Sequence, residues 1–133
     1  MSAVLDTHAL IWWKAGGRRL SRRAHAAIAG GDLRISPVVF WEVATLLRKG
    51  RIALDRDLFD WVADVLGGED IALAPLSAEA AAEAGQLPAR GFLGDPADCM
   101  LYSTAKELQV PLVSKDARIH AFGKTDAAVR VIW

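Results

Sequence analysis

The sequence predicts an α/β domain with a mostly parallel sheet covered by helices, and two observations carry that reading. Short apolar runs at 3–5, 33–35, 71–74, 112–113 and 129–132 alternate with longer stretches of helical period, the pattern of strands joined by helical crossovers. The first run, Ala3 to Leu5, has no polar interruption, as a strand buried on both faces requires. At 133 residues and 53% hydrophobic the chain can fill one core without disulfides or a structural metal, so residues 1–133 read as one domain.

The elements follow in order. A helix from about Thr7 to Lys14 comes directly after the first strand and leaves Asp6 at that strand's carboxyl end. Ser21 caps a helix that ends at Gly30 and Gly31, before the strand Leu33 to Ile35. Ser36 then precedes Pro37, and a serine cap with proline at the first helical position starts a helix over Val38 to Lys49, closed by Gly50, with Glu42 in its second turn. Asp57 to Leu66 is amphipathic and stops at Gly67 and Gly68; Ile71 to Ala74 is a short strand ended by Pro75. Ser77 caps an alanine-rich helix that gives way near Gly85 to a loop through Gly94, and Asp95 with Pro96 opens a helix to about Leu108, with Asp98 in its first turn. Leu112 and Val113 form a strand, Ser114 to Asp116 the turn out of it, and Val129 to Ile132 the last strand.

Composition excludes several classes. The single cysteine, Cys99, allows no intrachain disulfide, and no Cys/His spacing suits zinc, which points to a reducing, cytoplasmic setting. No apolar run is long enough for a membrane span. Sixteen basic and sixteen acidic residues cancel, which argues against coating nucleic acid through bulk charge. Charge is nonetheless segregated: Lys14, Arg18, Arg19, Arg22 and Arg23 lie in one acid-free run, which serves either as a solvated face or as a phosphate-binding rim. Arg48, Lys49 and Arg51 complement the dipole at the end of the Glu42 helix. Trp12, Trp13, Trp41 and Trp61 fall in apolar periodic segments and suit core packing or a partner surface; Phe40 and Tyr102 suit the core.

Open α/β sheets bind ligands outside the carboxyl ends of their strands. Four acids, Asp6, Glu42, Asp98 and Asp116, fall at such junctions. Each taken singly reads equally well as a helix cap or a solvated turn, but capping does not account for four acids along one sheet edge. Crowded carboxylates repel, and a divalent cation relieves the repulsion; an all-oxygen ligand set favours Mg2+ or Mn2+. Such a site suits phosphodiester hydrolysis through a metal-activated water, with Glu42 or Asp116 orienting or deprotonating it. His8, beside Asp6, reads as an ordinary helix-face histidine because the carboxylate set is complete without it.

The segments AVLDTHALIWW, ISPVVFWEVATLLRKGRI and LPARGFLGDPADCMLYSTAKELQVPLVSKDARI, with the order and spacing of the four acids, resemble the PIN-domain ribonucleases, in particular the VapC-type toxins of bacterial toxin–antitoxin pairs. The likeness spans nearly the whole chain. It implies a three-layer sandwich, Mg2+- or Mn2+-dependent cleavage of RNA, often tRNA or rRNA, and metal binding by Asp6, Glu42, Asp98 and Asp116. It also implies polar support from Thr7, Ser36 and Ser114, a capping role for Asp95, inhibition by a cognate antitoxin, and homodimers. One departure is Cys99, where many relatives carry arginine; it bears on RNA contact or antitoxin recognition and leaves the acids intact.

Two other functions compete. A catalytically silent module would use the same groove to hold RNA or protein, and intact acids argue against it. A phosphoaspartyl enzyme would use Asp6 as nucleophile, but THAL after Asp6 lacks the second aspartate two residues on that dehalogenase-type phosphatases carry.

Overall fold

A computed structural model describes residues 2–133. Five parallel strands, β1 (Ala3–Leu5), β2 (Leu33–Ile35), β3 (Ile71–Leu73), β4 (Leu112–Val113) and β5 (Val131–Ile132), form one sheet in the order β3-β2-β1-β4-β5. The chain starts at the centre of the sheet, winds outward through β2 to β3, and then crosses to β4 and β5 on the other side. That reversal leaves a crevice beside the carboxyl end of β1. Every residue of β1 is fully buried, and because successive strand residues face opposite sides, both faces of the sheet are covered.

The helices are α1 (Thr7–Lys14), α2 (Arg22–Ala29), α3 (Pro37–Arg48), α4 (Leu58–Leu66), α5 (Ala78–Gln86), α6 (Pro96–Leu108) and α7 (Ala117–Asp126), with a 3-10 turn at Leu87–Arg90. The caps read from sequence form: the Ser21 hydroxyl accepts from the Ala24 N–H, Ser36 from Val38, and Ser77 from Ala80. Asp57 caps α4. Helix α6 is the most enclosed, with Leu101, Tyr102 and Ala105 fully buried, and it packs on α3, α5 and β1. Behind it the rings of Phe92, Tyr102 and Phe122 meet edge to face, with centroids 4.8 to 5.7 Å apart.

Two segments differ from the sequence reading. Between Asp116 and Val129 that reading assigns no element, yet α7 occupies most of the interval and buries Ile119, Phe122 and Gly123. Gly123 lowers helix propensity, but a Cβ there would lie 2.9 Å from the Val131 Cγ2, so close packing on β5 demands glycine. The loop expected from Gly85 is also shorter, since α5 continues to Gln86 and passes into the 3-10 turn. Of the tryptophans, Trp61 is buried, Trp12 and Trp13 are half-buried, and Trp41 is 65% exposed, so the last belongs to a surface. Tyr102 is in the core as expected, its hydroxyl donating to Asp126 at 2.8 Å. Cys99 is buried in the core.

Candidate metal centre

Strand β1 ends at Leu5, and Asp6 turns the chain into α1. One oxygen of Asp6 accepts from the Thr7 N–H at 2.6 Å and the other from the Ser114 hydroxyl at 2.6 Å, which ties the ends of β1 and β4 together. The Ser36 cap and Pro37 start α3 so that Glu42 lies alongside α1, where the Thr7 hydroxyl donates to the Glu42 Oε1 at 2.5 Å. Asp98 and Asp95 form a reciprocal capping box at the start of α6: the Asp98 N–H donates to the Asp95 Oδ1 at 3.0 Å, and the Asp95 N–H to the Asp98 Oδ2 at 3.2 Å. Asp98 therefore completes the cap of α6 and also lines the cleft, two placements that the sequence set against each other.

Asp6, Glu42 and Asp98 each present a carboxylate oxygen such that all three oxygens lie within 4.8 Å of one another. Asp6 and Asp98 are buried and Glu42 half-buried. Asp116 stands apart from this trio but lines the same cleft, a volume of about 410 Å³. It is the N-cap of α7, its Oδ1 accepting from the Arg118 and Ile119 N–H groups at 2.8 and 3.1 Å. The Arg118 guanidinium reaches the Asp116 Oδ2 at 3.2 Å and the Asp98 Oδ2 at 3.5 Å.

The electrostatics separate the trio from Asp116. Burial raises the Asp6 pKa, against the pull of the Ser114 and Thr7 hydrogen bonds. Burial, opposed by Thr7 and aided by Asp6 and Asp95, pushes Glu42 up to about 7. Burial with the charges of Asp6, Asp95 and Asp116 pushes Asp98 up to about 8. Burial acts on Asp116 too, but the hydrogen bonds and charge of Arg118 with the N–H groups of α7 outweigh it and hold that carboxyl below its usual value. The trio is thus short of positive charge, an all-oxygen donor set of the kind hard divalent cations occupy, and the residues fit such an ion.

Thr7 and Ser114 support the carboxylates directly, as expected, while Ser36 acts through the helix it caps. His8 is exposed on α1 at the cleft wall and belongs to no ligand cluster among the described residues. Lys115, Arg118 and Trp12 also line the cleft, none of them read as site residues from sequence. The signal for Arg118 was its place two residues after Asp116, visible only once α7 is recognised. Gly94 was missed as well: a Cβ there would lie 3.1 Å from the Asp98 Oδ2, so a small residue leaves that carboxylate its room.

This chain is 35% identical over 121 residues to ribonuclease VapC22 of Mycobacterium tuberculosis (strain ATCC 25618 / H37Rv), covering 90% of this chain and 91% of that protein. Its fold is similar to that in the crystal structure of Rickettsia felis VapBC2 bound to a DNA fragment from its promoter, with TM-score 0.66 and 14% identity over 98% of this chain and 97% of that one. It is also similar to the sarcin–ricin loop cleaving toxin VapC20 of Mycobacterium tuberculosis, with TM-score 0.66 and 16% identity over 91% and 95% of the two chains. A family model for the PIN domain matches residues 3–125, from the first strand into the helix that Asp116 caps, and the chain therefore belongs to the PIN-domain family.

Proposed function

We propose that this chain is a divalent-metal-dependent endoribonuclease, the toxin of a toxin–antitoxin pair, acting in the cytoplasm on tRNA or rRNA. The observation that carries the reading is the convergence of the Asp6, Glu42 and Asp98 oxygens within 4.8 Å, from positions 92 residues apart at the extremes. These three side chains would hold Mg2+ or Mn2+, which supplies Lewis acidity and positive charge for phosphodiester hydrolysis. Thr7 and Ser114 fix the orientation of Glu42 and Asp6. Asp116, kept ionised by Arg118 and the start of α7, is in the protonation state that accepting a proton from the attacking water requires. Arg118, half-exposed at the mouth of the cleft, presents a guanidinium to the developing negative charge of the phosphate.

Support for the RNA substrate comes from the 35% identical relative, a ribonuclease by name, and support for an antitoxin partner from the likeness to the VapBC2 complex. A homodimer is the assembly expected with that partner. The silent-module alternative is not favoured, because all four acids are present and three converge. A phosphoaspartyl mechanism is not favoured either, because THAL after Asp6 lacks the second aspartate two residues on.

The test is incubation of antitoxin-free protein with total tRNA and rRNA in Mg2+ or Mn2+, with a chelator arm and an Asp98→Asn control, followed by sequencing of new RNA ends. Cleavage at discrete sites that disappears with chelator and in the variant is expected. Cleavage that persists in both overturns the site; RNA bound without being cut returns the silent module.

A further inference from the structure

We propose that Arg19 and Lys115, held against the ring of Trp12, form a clamp for the backbone phosphates of single-stranded RNA beside the acidic cluster, an inference that rests on the nuclease reading above. The Arg19 guanidinium lies 4.6 Å from the Trp12 ring centroid and the Lys115 Nζ 5.7 Å from it. Trp12 is itself anchored: half-buried on the core, it meets Trp133 edge to face at 5.7 Å and His8 at 5.5 Å. Lys115 is fixed in the chain between Ser114, which donates to Asp6, and Asp116, which caps α7. Trp12 and Lys115 line the cleft that holds the carboxylates, and the ring brings Arg19, from the loop after α1, beside Lys115, from the loop after β4.

Three physical points favour phosphate as the occupant. A cleft lined by Asp6, Glu42, Asp95, Asp98 and Asp116 repels a polyanion unless cations stand beside it. Among the described residues, Arg19 and Lys115 are partnered only by the ring, so binding phosphate breaks no ion pair; Lys14, in the same basic run, is instead tied to Asp64 at 3.2 Å. Contact with the ring also restricts two long side chains in advance, which reduces the ordering cost of binding. The run from Lys14 to Arg23 therefore divides: Arg19 is held at the ring that lines the cleft, whereas Lys14 lies over Trp13 at 5.6 Å and pairs with Asp64.

The test compares an Arg19→Ala/Lys115→Ala pair with an Arg18→Ala/Arg22→Ala pair, both in an Asp98→Asn background so that RNA stays intact. Binding of a fluorescent single-stranded oligoribonucleotide and of total tRNA is titrated against salt. The clamp pair is expected to lower the slope of log K against log salt by about 1.4, two phosphates at roughly 0.7 each, and the control pair to leave it unchanged. With Asp98 intact, the clamp pair should raise KM about tenfold or more while kcat and Mn2+ affinity hold. An unchanged slope, or an equal fall in the control pair, overturns the clamp; so does an unchanged slope with lost binding of an acidic peptide, which would assign the cations to a protein partner. Absence of cleavage by the wild-type chain in every metal would sink the nuclease reading instead, while the slopes would still decide whether these two cations hold RNA. All four replaced side chains are exposed, so folding is not at stake.

Discussion

Loading the acidic cluster with a divalent ion must expel protons, and the cleft sets how many. Without metal, Glu42 titrates near 7 and Asp98 near 8, both raised chiefly by burial. A hard cation requires both carboxylates ionised. From those two values the pair gives up about 1.9 protons at pH 6, about 1.4 at pH 7 and about 0.6 at pH 8. The slope of log affinity against pH equals the number released, so affinity for Mn2+ should climb roughly 500-fold between pH 6 and pH 8. Asp6 is raised too, and its charge helps raise Glu42 and Asp98, so the three carboxyls titrate together. Calorimetric titration with Mn2+ in buffers of different ionisation enthalpy reads the proton number directly, and the same isotherms give the affinity. Release of less than about half a proton at pH 6, with affinity changing less than about tenfold to pH 8, would refute the reasoning. It would mean that Arg118, 3.5 Å from Asp98, already keeps the cluster ionised.

Four further outcomes follow from the same geometry. In chelator, stability should fall as pH rises from about 5 to about 8, because the folded chain keeps protons on Glu42 and Asp98 that the unfolded chain, at 4.5 and 3.8, has already lost; denaturant melts at three pH values check this, and a flat profile counts against it. At pH 8 without metal, Asp98→Asn should stabilise by about 1 to 2 kcal/mol, since it removes a buried, repelled charge while the amide oxygen can still accept from the Asp95 N–H; a destabilised variant in the same melts would contradict it. Ser114→Ala removes a donor to Asp6 and the acceptor of the Asp116 N–H, which should cost about 1 to 3 kcal/mol in thermal melts and weaken Mn2+ binding by calorimetry. Gly94→Ala places a Cβ 2.2 Å from the Phe92 ring and 3.0 Å from the Asp98 Cβ, so RNA cleavage should drop sharply and stability by about 1 to 3 kcal/mol; wild-type cleavage rates would show that Asp98 does not need that space.

Much of this architecture was legible because local signals agreed with the global pattern. Ser21, Ser36, Ser77 and Asp95 each mark a helix start by side-chain chemistry that acts over two or three residues, and each helix begins where its cap stands. Helix α7 was not legible: Gly123 answers to the Val131 side chain across the fold, a contact no local window contains. The acids could be found because strand ends and helix starts are themselves local features. Their separation into a trio and an outlier could not, because it depends on Arg118 reaching both Asp98 and Asp116 from a helix the sequence did not announce. The cation pair at Trp12 was illegible for the same reason, since Arg19 and Lys115 are 96 residues apart.

Capping and the gathering of acids at one cleft, opposed as readings of a sequence, turn out to be one device in this fold. Asp6 caps α1, Asp98 closes the capping box of α6, and Asp116 caps α7, so three of the four acids are aimed by the helix starts that also satisfy them. A helix N-terminus favours a carboxylate through its exposed N–H groups and its dipole, and a parallel sheet sets successive helix starts along one edge. An acid retained for local stability at each start is thereby delivered to a common cleft. Where the donors outweigh burial, as at Asp116, the pKa stays low; where burial outruns them, as at Asp6 and Asp98, the ionised form is left short of stabilisation and the pKa rises. Glu42 shows what happens without a cap: inside α3, held by the Thr7 hydroxyl, it too is raised. The excess negative charge that a cation would relieve therefore arises where the fold brings more acids together than its helix starts can satisfy.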